Sequence, residues 1–188
     1  MDRISYLCGL GNPGSEYENT RHNLGFNVLD SLAEQNDASW ENLKGKAAVS
    51  SWHARGREVI LIKPLTYVNL SGTALKLFPG IEPSNLLVIC DDINLDLGSI
   101  RIRRSGGSGG HNGLESIENY LGAKDYPRLR IGIGPPPEPS KWKDFVLGRF
   151  TERESEIVQD VLQEAVGAVK TIILNGIQEA MQQFNRRD

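Results

Sequence analysis

GLGNPGSEYENTRHNLGF, Gly9 to Phe26, follows a short β-rich run over residues 3–9 and leads into a helix over residues 23–36. In that helix Leu24, Phe26, Val28, Leu29 and Leu32 lie close to helical spacing. Strand, glycine turn and helix make an α/β unit, and the turn decides which kind. Gly9-Leu10-Gly11-Asn12-Pro13-Gly14 is literally the GxGxxG of dinucleotide-binding folds. In that fingerprint the helix begins within the glycines, so that its N-terminus meets the pyrophosphate. Here Pro13-Gly14-Ser15 make a turn, and the helical pattern starts well downstream, at Asn23. The ribose-binding acid should end a second strand about 20 residues on. Asp30 is the nearest candidate, and it sits inside the helix. The stretch therefore argues for an α/β fold without a dinucleotide site.

Outward from this unit, residues 47–53 and 57–63 are β-rich runs joined by Ala54-Arg55-Gly56, which predicts a hairpin. Residues 69–78 predict a short helix closed by Pro79-Gly80. Leu86 to Cys90 is a continuous apolar run, as in a strand buried on both faces. Ile100 and Ile102 alternate with Arg101 and Arg103 in an edge or half-buried strand. A glycine cluster, Gly106 to Gly113, precedes a helix through Leu121, and Leu129, Ile131 and Ile133 alternate in a further strand. Pro135-Pro136-Pro137 forces an extended loop. Thr151 and Glu154 fit a capping box ahead of an apolar stripe from Ile157 to Ile172, which Asn175-Gly176 breaks before a short last helix. Strands interleaved with helices, without repeat or linker, predict an α/β fold: a single domain over residues 1–188, with a mixed β-sheet flanked by helices.

A chain of 188 residues can bury a core without disulfide or metal staples. No apolar run approaches the roughly 20 residues of a membrane helix, and Met1-Asp2-Arg3-Ile4-Ser5 does not begin a signal peptide. Two cysteines, no CxxC and no HExxH predict neither a metal nor a disulfide framework, and a reducing cytoplasm is the expected location. The net charge of −3 hides a pattern. Residues 98–149 carry 9 basic and 5 acidic side chains, a net +4, between acidic flanks. This is either solvated surface or a local positive face suited to a polyanion.

Four segments could carry chemistry. His22, in a polar loop with Asn12, Tyr17, Arg21 and Asn23, can take a proton from water near neutrality, or be an ordinary surface histidine. Asn69, just past a strand, is either a helix N-cap or an amide offered to a peptide group. Asp91 and Asp92 end the buried strand, where open α/β sheets put their sites. Being adjacent, they should point opposite ways. One is expected to face inward and orient another group, the other to be solvated. Cys90 reads as core filler. The glycines from Gly106 to Gly113 either make a flexible loop or offer free N–H groups to phosphate at a helix start.

Taken together these segments resemble bacterial-type peptidyl-tRNA hydrolases over nearly the whole chain. Gly9 to Phe26 is the most specific stretch. It is followed in order by NLSG (Asn69 to Gly72), the strand ending in Asp91-Asp92, GGHNGL (Gly109 to Leu114) and RLRIGIG (Arg128 to Gly134). The resemblance implies hydrolysis of the ester between a peptide and the 3′ ribose of tRNA, without metal or cofactor. It implies that His22 is the catalytic base, Asp91 the acid that orients it, and Asn12 the residue beside the scissile carbonyl. Tyr17, Asn69 and Asn112 would bind substrate, and Arg103, Arg128, Arg130, Gly109 and Gly110 would approach tRNA. The chain departs from the family at Cys90, usually His, at Asn94-Leu95-Asp96-Leu97-Gly98, usually Asp-Leu-Pro-Pro-Gly, and at Val68, commonly Met.

The chemistry agrees with the residues. A base near neutrality activates water, an acid fixes the tautomer of that base, and an amide either positions the water or stabilises the oxyanion. The expected partner is peptidyl-tRNA, met by a monomer with no obligate protein partner and no membrane. The alternative is a catalytically idle RNA-binding protein of the same fold.

Overall fold

In the computed structural model, which describes residues 3–185, the strands are β1 (Tyr6–Gly9), β2 (Glu41–Leu43), β3 (Ala47–Ala54), β4 (Arg57–Pro64), β5 (Leu86–Asp92), β6 (Ile100–Arg103) and β7 (Arg128–Gly132). The helices are α1 (Leu24–Glu34), α2 (Ser71–Leu75), α3 (Asn112–Leu121), α4 (Trp142–Leu147), α5 (Glu152–Asn175) and α6 (Ile177–Phe184). The strands form one sheet in the order β2-β3-β4-β1-β5-β7-β6. Its centre, β4-β1-β5-β7, is parallel, while β3 pairs antiparallel with β4 and β6 antiparallel with β7. The mixed sheet matches the expected fold class. The hairpin turn is tighter than expected, because Ala54 pairs with Arg57 and leaves only Arg55 and Gly56 outside the ladder. Both have positive φ (48° and 75°), as a type I′ turn requires.

β5 is buried at every residue, as its unbroken apolar run predicts. Side chains alternate between two core layers. Leu7, Leu87, Ile89, Leu129 and Ile131 face α1 and α5, whereas Cys8, Val88 and Cys90 face the layer containing Leu75, Leu114 and Ile117 of α2 and α3. The glycines of the first turn serve this packing. A Cβ on Gly9 would lie 2.3 Å from the Gly25 carbonyl oxygen, and one on Gly11 would lie 2.8 Å from the Phe26 ring. They let α1 lie directly against β1, which is why a GxGxxG occurs here without a phosphate site.

The capping box of α5 is present. Thr151 Oγ1 accepts from the Glu154 N–H at 3.3 Å, and Glu154 Oε2 accepts from the Thr151 N–H at 2.7 Å. β2 and α4 lie outside the sequence expectation: three residues are too few to show a period, and α4 begins just after a proline-rich loop. Of the expected helix over 69–78, a 3₁₀ turn takes Val68–Leu70 and α2 only Ser71–Leu75.

Candidate active site

Elements on opposite faces of the sheet meet at the carboxyl end of β5. From the α1 side, a 3₁₀ turn (Arg21–Asn23) delivers His22, buried at 6% exposure. Its Nδ1 lies 2.8 Å from Asp91 Oδ1. From the α3 side comes His111, whose Nε2 lies 3.1 Å from the same oxygen. Burial opposes charge on Asp91, but the two imidazoles outweigh it and hold its carboxyl below the usual carboxylate range. Burial also opposes charge on His22. The attraction and hydrogen bond of Asp91 outweigh that too, so the His22 ring is held above its ordinary value.

An ionised Asp91 can only accept, so the proton of a neutral His22 sits on Nδ1 and its Nε2 keeps a lone pair. His22, Asp91, His111, Asn112, Arg130 and Trp142 line a cleft of about 470 Å³. His22, Asp91 and His111 are also, among the described residues, a group whose ligand atoms lie close enough to hold a metal ion. The His111 ring argues against that use. Its Nδ1 accepts the N–H groups of Gly113 (3.1 Å) and Leu114 (3.3 Å), so its proton lies on Nε2 and no lone pair there faces the cluster.

The loop bearing His22 is clamped from the far end of the chain. Arg21 donates to both carboxylate oxygens of Glu154 (3.0 and 2.9 Å) and to the Arg149 carbonyl (2.8 Å). Its guanidinium lies 4.3 Å from the Phe145 ring centroid and 5.0 Å from that of Phe150. The carboxylate that caps α5 thus also fixes the residue before His22. On the other side, the Asn23 carboxamide pairs with both backbone groups of Asn12, at 2.9 and 3.0 Å. Asn12 Oδ1 accepts the Val68 N–H at 2.9 Å, which orients the amide. Asn12 is buried, and its Nδ2 donates no hydrogen bond among the described residues.

The remaining expected residues are distributed unevenly. Asn112 lines both the His22 cleft and a neighbouring one that it shares with Asn69. Asn69 is exposed and caps nothing, since α2 has Leu70 at its N-cap. Tyr17 is half-buried at the end of a 3₁₀ turn and does not line the His22 cleft. Gly109, Gly110 and Arg130 line it, and Arg103 is exposed on edge strand β6.

Three expectations change. Arg128 is 2% exposed; its guanidinium holds the carbonyls of Gly107 (3.1 Å) and Lys124 (3.0 Å) and lies 4.1 Å from the Tyr126 ring centroid. It braces the glycine loop from within and does not face a polyanion. Asp92 is buried, because it shares a sheet face with Arg130, with which it forms an ion pair, and its Oδ1 accepts the Asn94 N–H. Two N–H groups in the first turn of α3, those of Gly113 and Leu114, are capped by His111 and are not free for phosphate. Cys90 is core filler as expected, and burial, the largest cause, pushes its thiol far up. Sequence reading passed over His111 and the Arg21–Glu154 clamp. The signal for His111 was its place directly before a helix, where a side chain can cap.

A sequence model of the family described as peptidyl-tRNA hydrolase matches residues 6–188. The chain is similar to peptidyl-tRNA hydrolase of Caldanaerobacter subterraneus subsp. tengcongensis, 47% identical over 182 residues, covering 95% of this chain and 98% of that protein. It is 44% identical over 185 residues to that of Syntrophomonas wolfei, covering 97% of this chain and all of that one. Its fold matches the crystal structure of peptidyl-tRNA hydrolase from Acinetobacter baumannii with a TM-score of 0.93 at 35% identity, over 100% of this chain and 97% of that one.

Proposed function

Because the chain belongs to the peptidyl-tRNA hydrolase family, whose reaction is hydrolysis of the ester joining a peptide to the 3′ ribose of tRNA, we propose that His22 is the base of that reaction, held by Asp91. The observation that carries this is the 2.8 Å contact between His22 Nδ1 and Asp91 Oδ1, which leaves a lone pair on Nε2. Nε2 takes a proton from water as the oxygen attacks the ester carbonyl. The resulting imidazolium, stabilised by Asp91, returns that proton to the departing ribose oxygen. The products are a peptide acid and tRNA with a free 3′ hydroxyl. Asn12 donates from Nδ2 to the developing oxyanion; its oxygen is already engaged by Val68, so the amide arrives as a donor. An assembled base and acid at a cleft favour the enzyme over an idle RNA-binding protein. The decisive experiment is release of free tRNA from N-acetylaminoacyl-tRNA under multiple turnover, compared between the wild type and His22→Ala.

Asn69 and Asn112 hold the peptide group of the substrate, since both line the cleft beside the His22 cleft and Asn112 lines the two. An aminoacyl ester has no peptide group to pair with them. Asn69→Ala and Asn112→Ala are expected to shrink the preference for N-blocked over unblocked aminoacyl-tRNA, by about 1–3 kcal/mol at most. The measurement is the ratio of the two kcat/KM values, and an unchanged ratio in both variants removes the role.

Arg103, Arg130 and the Gly109-Gly110 backbone approach tRNA phosphates, and Arg128 supports them from the interior. Binding of tRNA should weaken steeply with salt despite the net charge of −3, with a log–log slope of roughly 0.7–0.9 per phosphate contact. Insensitivity of the affinity between low and moderate salt contradicts the basic face. The working form is a monomer in the cytoplasm, a reading supported by a site built from one chain and by two buried free cysteines. No helix among the described residues is long and apolar enough to cross a membrane.

A further inference from the structure

We propose that His111 is a second positioning residue of the site: it uses one ring nitrogen to cap α3 and the other to hold the carboxylate that orients His22. Its Nδ1 accepts from the N–H groups of Gly113 and Leu114, and its Nε2 sits 3.1 Å from Asp91 Oδ1. A ring whose Nδ1 lone pair is engaged by two backbone donors carries its proton on Nε2. The helix cap therefore dictates that His111 arrives at Asp91 as a donor, just as Asp91 dictates the tautomer of His22. One carboxylate oxygen then takes an N–H from each face of the sheet, and the two rings stand 4.9 Å apart, centroid to centroid.

Two consequences follow for the reaction. The second donor fixes the rotation of Asp91, so that its oxygen meets His22 and not solvent. It also spreads the charge on that oxygen, which moderates the pull of Asp91 on the imidazolium of His22. The other charged groups lining the cleft are Asp92 and Arg130, which pair with each other, while α4 presents Trp142 and Val146. Arg21, next to His22, is engaged by Glu154. His111 is thus the group that sets how strongly Asp91 holds His22.

Two substitutions separate the functions of the ring. In His111→Asn the carboxamide oxygen stands where Nδ1 stands and keeps the cap, but the side chain is too short to reach Asp91. In His111→Gln the amide nitrogen reaches the place of Nε2 and donates to Asp91, but the cap is lost. His111→Asn is expected to keep the thermal midpoint and to raise the pH midpoint of kcat by about 0.5 unit or more, as an undiluted carboxylate pulls harder on the His22 proton. Below that midpoint turnover then falls about threefold. His111→Gln is expected to keep the pH midpoint and lose thermal stability. A pH midpoint unmoved in His111→Asn, or moved equally in both variants, overturns the proposal. A direct reading comes from ¹⁵N NMR of the chain's three imidazoles, with exposed His53 as reference. The Nε2–H tautomer at His111 is expected, and the Nδ1–H tautomer overturns the proposal. The kinetic arm rests on His22 as the base. If His22→Ala retains its rate, that assignment fails, whereas the NMR arm judges His111 alone.

Discussion

His22→Ala is expected to lower kcat on peptidyl-tRNA by on the order of 10²–10⁴-fold, the size of a missing general base. In the wild type, turnover should rise with pH through an ionisation above the ordinary imidazole value. The sign follows from the surroundings of the ring. Burial disfavours its charged form, but Asp91, at 2.8 Å, favours it more strongly. Only the ring without a proton on Nε2 can accept one from water, so activity appears as that proton leaves. Asp91→Asn removes the attraction and leaves the burial, so the ionisation should move to lower pH. The rate should fall as well, because a carboxamide can offer an N–H to Nδ1 and select the wrong tautomer. The double variant should be little worse than His22→Ala alone, since Asp91 acts through His22 and such units are not additive. The check is a pH–rate profile for each single variant with measurable turnover, and the rate of the double variant at one pH. Fully additive losses, or a near wild-type rate for His22→Ala, would sink the assignment.

Gly25→Ala is expected to damage stability and turnover together, although Gly25 touches no substrate. A methyl group there would lie 2.4 Å from both the Ile89 carbonyl oxygen and the Leu10 amide nitrogen. Both obstacles are backbone atoms, one just past the end of β1 and the other in the middle of β5, so α1 must move away from the sheet. Overpacking of this kind typically costs about 1–3 kcal/mol. The movement also lifts the turn that delivers His22, because Arg21–Asn23 runs directly into α1. A separation of even 1 Å between His22 and Asp91 breaks a hydrogen bond of 2.8 Å. Denaturant unfolding and kcat should therefore fall in the same variant. Gly107→Ala is the control for stability, since nothing lies within 4 Å of its added methyl. If Gly25→Ala matches that control in stability and the wild type in rate, close packing of α1 is not what seats His22.

What could be read from the sequence is what depends on neighbours along the chain. The unbroken apolar run of β5, the hairpin of β3 and β4 and the Thr151–Glu154 capping box rest on periodicity or local hydrogen bonding, and all three are present, the hairpin with a turn one residue shorter than expected. His22, Asn12 and Asp91 were legible as candidates because polar groups crowd one short loop and end one buried strand, and the family resemblance gave them roles. Their partnership was not legible in spacing alone, since His22 and Asp91 lie 69 residues apart and meet only when α1 packs on β5. The same holds for the residues that changed meaning. Arg128 reads as surface charge in a basic run, yet Tyr126 and two loop carbonyls surround it. Asp92 reads as solvated until β7 brings Arg130 beside it. Gly9 and Gly11 resemble a phosphate loop in one dimension and are the floor for a helix in three. His111 stands within the motif that the resemblance quotes, but its proton can be placed only by knowing what each ring nitrogen touches. A side chain's charge state, tautomer and exposure are set by the groups around it in space, and those come from elements that only tertiary packing brings together.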